Sequence, residues 1–154
     1  MKIRRAQAAD LDAAAELWYQ RMAMLRESAS WIKFAPDAID SWRRRALIWI
    51  DDAEVAFHVA EADGRIIGLA VVAGKAGEPG LCPERIGVLL ELAVDLHQPH
   101  SGLSGCLIEA AESWLRSRDI TILEIAAPAS YPVEDAFWRA QGAALSARNY
   151  RLRI

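Results

Sequence analysis

Cysteine and histidine are scarce in this chain of 154 residues. Cys82 and Cys106 lie far apart and form no CxxC motif, which excludes a disulfide scaffold and disfavours a structural zinc site. The three histidines, His58, His97 and His100, show no metal-binding spacing such as HExxH. We therefore predict no metal cofactor and a reducing, cytoplasmic setting.

Long apolar runs and a surplus of basic residues are also missing. Gly, Glu or Arg interrupts the apolar runs well before the ~20 residues that span a bilayer, and the N-terminus lacks the apolar stretch of a secretory signal. The chain carries 18 Lys and Arg against 21 Asp and Glu, a net charge of -3. Nucleic-acid binders usually show the opposite balance, so we predict neither a nucleic-acid nor a membrane partner.

Hydrophobic residues are abundant, at 53% of the chain. This content fills a core, and the length fits one domain over residues 1–154. Helical and strand periodicities then predict the element order β-α-α-β-β-β-α-β-α-β. The predicted strands lie at 1–5, 55–60, 65–73, 86–94 and 120–127, with one or two more at 143–154. The first two predicted helices follow Asp10 and Pro36, the third covers 101–116, and the fourth runs from Pro132 to Gly142.

The second half of this order predicts a parallel pair of strands. The strands 86–94 and 120–127 flank the best amphipathic helix of the chain, and a strand, a helix and a further strand imply a parallel crossover. Asp63-Gly64 predicts a tight hairpin between two earlier strands. The expected fold is therefore mixed α/β (α+β), with a mostly antiparallel sheet, one parallel pair that separates at its ends, and flanking helices.

Two stretches of sequence resemble the GNAT superfamily of N-acetyltransferases. The first, LELAVDLHQPHSGLSGCLIEAAESWL at 90–115, is similar to the family's central strand, Gly-rich loop and helix. The second, AFWRAQGAALSARNYRLRI at 136–154, is similar to the family's last short helix and strand pair. The resemblance implies an enzyme that uses acetyl-CoA to acetylate a primary amine of a small molecule or peptide.

The resemblance also implies where acetyl-CoA binds. The pantetheine arm would pair with the central strand like an added strand, and the pyrophosphate would bind the backbone N–H groups at the start of the following helix. The residues implied in cofactor binding are Leu92, Ala93, Val94, His100, Ser101, Gly102, Leu103, Ser104, Gly105 and Trp138.

Three positions depart from the family's pattern, of which Ser104, in place of a Gly or Ala of the loop, is a small and tolerable replacement. Pro99 occupies the place of the loop's leading Arg or Gln, and Trp138 occupies the place of a tyrosine. Indole is only a hydrogen-bond donor and cannot act as a general acid. A second reading therefore stays open, in which a degenerate member binds acyl-CoA as a sensor or interaction module without catalysis. A purely structural dimerisation domain is a third reading, and the oligomeric state stays open between monomer and homodimer.

Glu91 is the candidate general base, because it is the only charge inside the central apolar strand. Strict alternation places it on one face with Leu89 and Ala93. Burying a carboxylate is costly unless it is paired or hydrated, so Glu91 should face a cleft or an arginine. A structural ion pair is the alternative. His58 is a weaker candidate.

The acceptor pocket is expected beside the first two helices. Trp31 and Phe34 lie in the interhelical segment, outside the helical stripes, and are the predicted substrate-binding residues. The carboxylates of Asp51, Asp52 and Glu54 follow the second helix and would suit a cationic amine. The run Arg43 to Arg45 is interpreted as a solvated helix face.

Overall fold

A computed structural model describes residues 1–97 and 102–154. Within these residues, five strands form one sheet in the order β1-β2-β3-β4-β5. The first four pair antiparallel and β4 pairs parallel with β5, which confirms the predicted mixed sheet. The strands are β1 Lys2–Arg5, β2 Val55–Ala62, β3 Arg65–Ala76, β4 Arg85–Val94 and β5 Leu123–Glu124.

Helices in the described part of the chain cover both faces of the sheet. The helices are α1 Leu11–Arg26, α2 Ala38–Asp51, α3 Leu103–Arg116 and α4 Pro132–Ala140. A 3₁₀ turn, Ala8–Asp10, leads into α1. On one face α1 and α2 pack against Val55, Phe57 and Val59 of β2. On the other, α3 packs against Ala56 and Ala60. Alternate residues of β2 therefore face opposite sides of the sheet.

Asp63 and Gly64 form the tight turn between β2 and β3. Both have positive φ, at 50° and 72°. This is the backbone that a two-residue hairpin with right-handed strand twist requires, and Gly and Asp adopt it readily. The turn prediction from the sequence is confirmed.

The parallel pair is shorter than the sequence predicts. β5 covers only two residues, which pair with Gly87 and Val88, although the apolar stretch extends from 120 to 127. Beyond Val88, no residue that the structure describes pairs with this edge of β4. As far as the described residues go, the backbone from Leu89 to Val94 is therefore unpaired on the β5 side, as the predicted separation of the two strands requires.

The predicted strands at 143–154 are wrong. This segment contains no strand and every residue in it is exposed. A strand is stabilised by pairing with a neighbour, and the adjoining β5 offers only two residues of edge. Among the described residues, no helix is both long and apolar enough to cross a membrane.

Candidate functional site

A cavity of about 290 Å³ opens at the first turn of α3. It lies between the end of β4, the start of α3 and one side of α4. Val94, Gly102, Leu103, Ser104, Gly105, Phe137 and Gln141 line it. The central strand, the Gly-rich loop and the last helix, which the sequence singles out, all contribute residues to it.

The backbone at this cavity is suited to an anion. Gly102 adopts a left-handed conformation, φ 84°, and caps α3. The first N–H groups of a helix have no partner within the helix and carry a partial positive charge. A Cβ added at Gly102 or Gly105 would meet no atom within 4 Å. A phosphate can therefore approach these N–H groups directly. The predicted contacts His100 and Ser101 lie outside the described residues.

A β-bulge sets the direction of Glu91. In the register between β3 and β4, Val71 pairs with Glu91 and Val72 pairs with Leu89, so Leu90 has no partner on β3. The extra residue shifts the alternation along the strand. Leu89 packs on the α3 side of the sheet, whereas Glu91 contacts α2. The expectation that Leu89 and Glu91 share a face is therefore wrong.

The carboxylate of Glu91 lies against α2 and is only 10% exposed. Its Oε1 accepts hydrogen bonds from the indole Nε1 of Trp42 and from a guanidinium nitrogen of Arg45, each at 3.3 Å. Burial raises the pKa of Glu91, and the Trp42 hydrogen bond and the charges of Arg45 and Arg21 partly oppose that rise. A raised pKa suits a group that must accept a proton near neutral pH.

Aromatic packing fixes the indole that contacts Glu91. Trp42 is 2% exposed and stacks on Trp18 at 5.8 Å between ring centroids, while Trp49 and Phe57 meet it edge-to-face. Such packing holds the N–H of Trp42 in one direction. The helical stripe of α2 predicts that Trp42 is buried, but it does not predict that its N–H meets a strand carboxylate.

Arg45 is a site residue that sequence reasoning missed. The run Arg43 to Arg45 is typical of a solvated helix face, and Arg43 and Arg44 do pair with the surface acids Asp12 and Asp37. Arg45 instead reaches the central strand. One turn of helix separates it from Trp42, so both contact the same carboxylate; that spacing is the only signal in the sequence.

His58 lies on the opposite face of the sheet from Glu91. It is 9% exposed and its Nδ1 has no hydrogen-bond partner in the described part of the chain. Burial, aided by the nearby charge of Arg5, lowers the pKa of His58 to about 4. The structure does not bring it to the cavity or to the carboxylate.

Tyr131 and Tyr150 could in principle replace the missing tyrosine acid, but both lie elsewhere. The hydroxyl of Tyr131 lies 3.6 Å from the sulfur of Met24, in a small apolar cluster with Leu25. Tyr150 is 84% exposed on the C-terminal segment.

Cys106 is half-buried near the start of α3, and His97 is exposed after β4.

The α4 side of the cavity is formed by the neighbour of Trp138, the predicted cofactor contact. Phe137 lines it, and so does Gln141, one turn later. Trp138, the predicted cofactor contact, is 4% exposed and packs edge-to-face on Phe137 at 4.8 Å. Its indole N–H has no partner among the described residues. Phe137 and Gln141 were missed because the phase of this short helix depends on how it docks.

The predicted acceptor residues occupy different environments. Phe34 is half-buried, stacks on Tyr19 at 4.4 Å and meets Trp18 edge-to-face at 6.3 Å. Because Trp18 in turn stacks on Trp42, Phe34 joins the aromatic cluster beside Glu91. Trp31 is 52% exposed, and the guanidinium of Arg151 lies over its ring at 4.0 Å.

The carboxylates expected at the acceptor pocket are not near Glu91. Glu54 contacts Arg85 and Arg118, and Arg85 is the first residue of β4, six residues before Glu91. At about 3.3 Å per residue this is roughly 20 Å along the strand. Glu54 and its neighbours Asp51 and Asp52 belong to the other end of the sheet.

Solved structures share this fold. At 18% identity, the aminoglycoside antibiotic 6'-N-acetyltransferase AAC(6')-Ig from Acinetobacter haemolyticus matches with a TM-score of 0.79, over 100% of this chain and 98% of that one. A predicted acetyltransferase with acetyl-CoA from Clostridium acetobutylicum matches at 15% identity and a TM-score of 0.77, over 99% and 95%. A ribosomal-protein-alanine N-acetyltransferase from Brucella melitensis biovar Abortus 2308 matches at 20% identity and a TM-score of 0.70, over 100% of each chain.

Because the identity to these structures is low, the match with them shows only that the fold is shared. The family is shown by comparison of the sequence with family models. No curated protein matches the chain. The model of the acetyltransferase (GNAT) family matches residues 18–143, which include the carboxylate on β4, the start of α3 and all of α4. The chain therefore belongs to the GNAT family of acetyltransferases.

Proposed function

We propose that the protein transfers an acetyl group from acetyl-CoA to the primary amine of a small molecule. The observation that carries this proposal is the buried carboxylate of Glu91 on the strand that ends at the α3 cavity. Glu91 and Val94, which lines the cavity, are three residues apart, about 10 Å along the strand. A cofactor with its phosphates at α3 and an extended arm along β4 would bring its acyl group to Glu91.

The open edge of β4 provides the path for that arm. Residues Leu92 to Val94 lie beyond the short pairing with β5, so their backbone N–H and C=O groups can accept an extended amide-containing chain as an added strand. Phe137 supplies apolar surface at the cavity end of this path. When bound, acetyl-CoA supplies the activated acyl group.

The chemistry asked of the protein is modest. A neutral amine is already a nucleophile, so a base that removes the ammonium proton and a site that aligns the two reactants supply most of what is needed. Glu91 has the burial and the raised pKa for that base. The described residues offer no tyrosine acid at the cavity, so the leaving thiolate would take its proton from water.

Two measurements on the full chain test the proposal. Acetyl-CoA and CoA should each raise the melting temperature, because ligand that binds only the native state stabilises it by about 2.7 kcal/mol at 100 times its Kd. Thiol release from acetyl-CoA should then depend on an added amine. A melting shift without thiol release across a broad amine panel would favour the non-catalytic acyl-CoA sensor. No shift with either ligand would reject both readings.

A further inference from the structure

The charges around Glu91 are the opposite of those expected for a polycationic acceptor. The acids that would attract such an acceptor lie at the far end of the sheet, where Glu54 is held by Arg85 and Arg118. The groups that act on Glu91 are the guanidiniums of Arg45 and Arg21. Residues 20–50 carry six Lys and Arg against three Asp and Glu, although the chain as a whole has a net charge of -3.

Arg21 forms a buried ion pair with α4, whereas the guanidinium of Arg45 is half exposed. One nitrogen of Arg21 donates to both oxygens of Glu134 on α4, at 2.9 and 3.0 Å, and both side chains are more than four-fifths buried. The side chain of Arg45 is 53% exposed, and its one carboxylate contact among the described residues is the 3.3 Å approach to Glu91. Four of its five N–H donors are therefore available.

A cation–π contact holds the guanidinium of Arg45 beside Glu91. Its guanidinium lies over the ring of Trp49 with 4.8 Å between the Cζ atom and the ring centroid. A guanidinium carries its N–H donors in a planar fork that matches a carboxylate. Glu91 takes only one of these donors. An anionic group on a ligand would therefore find free N–H donors here.

A carboxylate and a guanidinium only 3.3 Å apart match one kind of amine. In an α-amino acid the nitrogen and the carboxylate are attached to the same carbon, so the two charges are about 3 Å apart. We propose that the acceptor is an α-amino acid, with its carboxylate bound by Arg45 and its ammonium held by Glu91. This rests on the proposed acetyl transfer and names its substrate class. A peptide N-terminus, which has no adjacent carboxylate, does not fit.

The reaction then follows without another group. Glu91 takes one proton from the ammonium. The free amine attacks the thioester carbonyl carbon, the C–N bond forms, the C–S bond breaks, and the thiolate leaves with the electron pair. The second proton of the nitrogen passes through water to the thiolate. The products are an N-acetyl amino acid and CoA, and the proton on Glu91 returns to solvent.

Matched acceptors test the inference. Each of the standard L-amino acids is compared with its own amide, by thiol release from acetyl-CoA at several pH values, because the two amines titrate differently. We expect at least one free acid to exceed its amide in kcat/KM by tenfold or more. Arg45→Gln should abolish that preference, mainly through KM. Arg44→Gln is the matched control, since Arg44 is 66% exposed and pairs with Asp37, and it should retain the preference.

Two results overturn the inference while leaving acetyl transfer intact. One is acetylation of amides or of simple amines in preference to the free acids. The other is an acid-to-amide ratio that survives Arg45→Gln, with only the pH profile displaced; Arg45 would then serve as the charge partner of Glu91 beside Trp42 and Arg21.

A binding measurement keeps the inference testable if no acetylation occurs. With saturating CoA present, N-acetyl-L-amino acids should raise the melting temperature of the wild type and their amides should not. Equal shifts, or none with any of the acids, would reject the α-amino acid class. Arg45→Gln should lose the shift and Arg44→Gln should keep it. This result does not depend on turnover, so it separates failure of the site from failure of the chemistry.

Discussion

At the scale of single residues, Glu91 combines burial with cationic and N–H partners. Burial alone would favour the protonated acid, and Trp42 and Arg45 limit that effect. The ionised form is therefore accessible but requires a higher pH than an exposed Glu does. If Glu91 is the base, kcat/KM should rise with pH as Glu91 ionises around its raised pKa. The reason is that only the ionised carboxylate accepts a proton.

We expect Glu91→Gln to lower kcat/KM by roughly 100-fold, the usual scale for loss of a general base. The rise of kcat/KM with pH should also flatten, since Gln does not titrate. Folding should be retained, because Gln removes a buried charge but can still accept the Trp42 hydrogen bond. Steady-state kinetics across pH and a melting curve check this. A less stable variant with unchanged activity per folded molecule would make Glu91 a structural ion-pair partner.

His58 should make stability depend on pH in a separate window. Its pKa is about 4 in the folded chain and near 6.5 when unfolded, so between these values the unfolded chain binds the extra proton. Stability is then full above about pH 6.5 and falls as the pH drops toward 4, by roughly 3 kcal/mol in all. In His58→Gln, the unfolding free energy measured with urea should depend less steeply on pH over this window. An equal dependence on pH in both proteins would contradict the assignment.

At the scale of elements, the start of α3 depends on local chemistry that the sequence displays. Gly102 has positive φ, so any side chain there strains the backbone whatever it does to a ligand. Gly105 is a cleaner probe, because it lies within the helix, lines the cavity and has open space around it.

We expect Gly105→Leu to weaken CoA binding by tenfold or more, since its side chain enters the cavity. The melting temperature without ligand should stay equal or rise, because Gly costs a helix interior about 1 kcal/mol relative to better helix formers. Calorimetric titration of CoA and a melting curve test this. Unchanged affinity in a folded variant would place the phosphates elsewhere.

The elements that could be predicted are those whose causes are local. The Asp63-Gly64 turn, the stripe of α3 and the crossover to a parallel strand follow from neighbouring residues or from chain handedness. The bulge at Leu90 could not be predicted, because it depends on how β4 registers against β3. The same limit explains the misassigned face of Leu89, and why Phe137 and not Trp138 lines the cavity could not be predicted.

At the scale of the whole molecule, charge is distributed unevenly over a chain whose net charge is acidic. Residues 143–154 contain Arg148, Arg151 and Arg153 and no acidic side chain, and Arg151 lies over Trp31. This segment therefore adds positive charge to the side of the molecule that holds the α1–α2 connection. Among α-amino acids, one with a net negative charge would be attracted to that side at low ionic strength.

Removal of residues 145–154 tests whether this segment belongs to the sheet. In the structure the segment is exposed throughout and forms no strand, and Arg151 on Trp31 is an exposed cation–π contact of about 0.5–1 kcal/mol. The truncated chain should therefore lose no more than about 1 kcal/mol of unfolding free energy. Its urea m-value should be nearly unchanged, because m follows the surface exposed on unfolding. A large loss of both quantities would show instead that these residues pair as strands, as their sequence predicts.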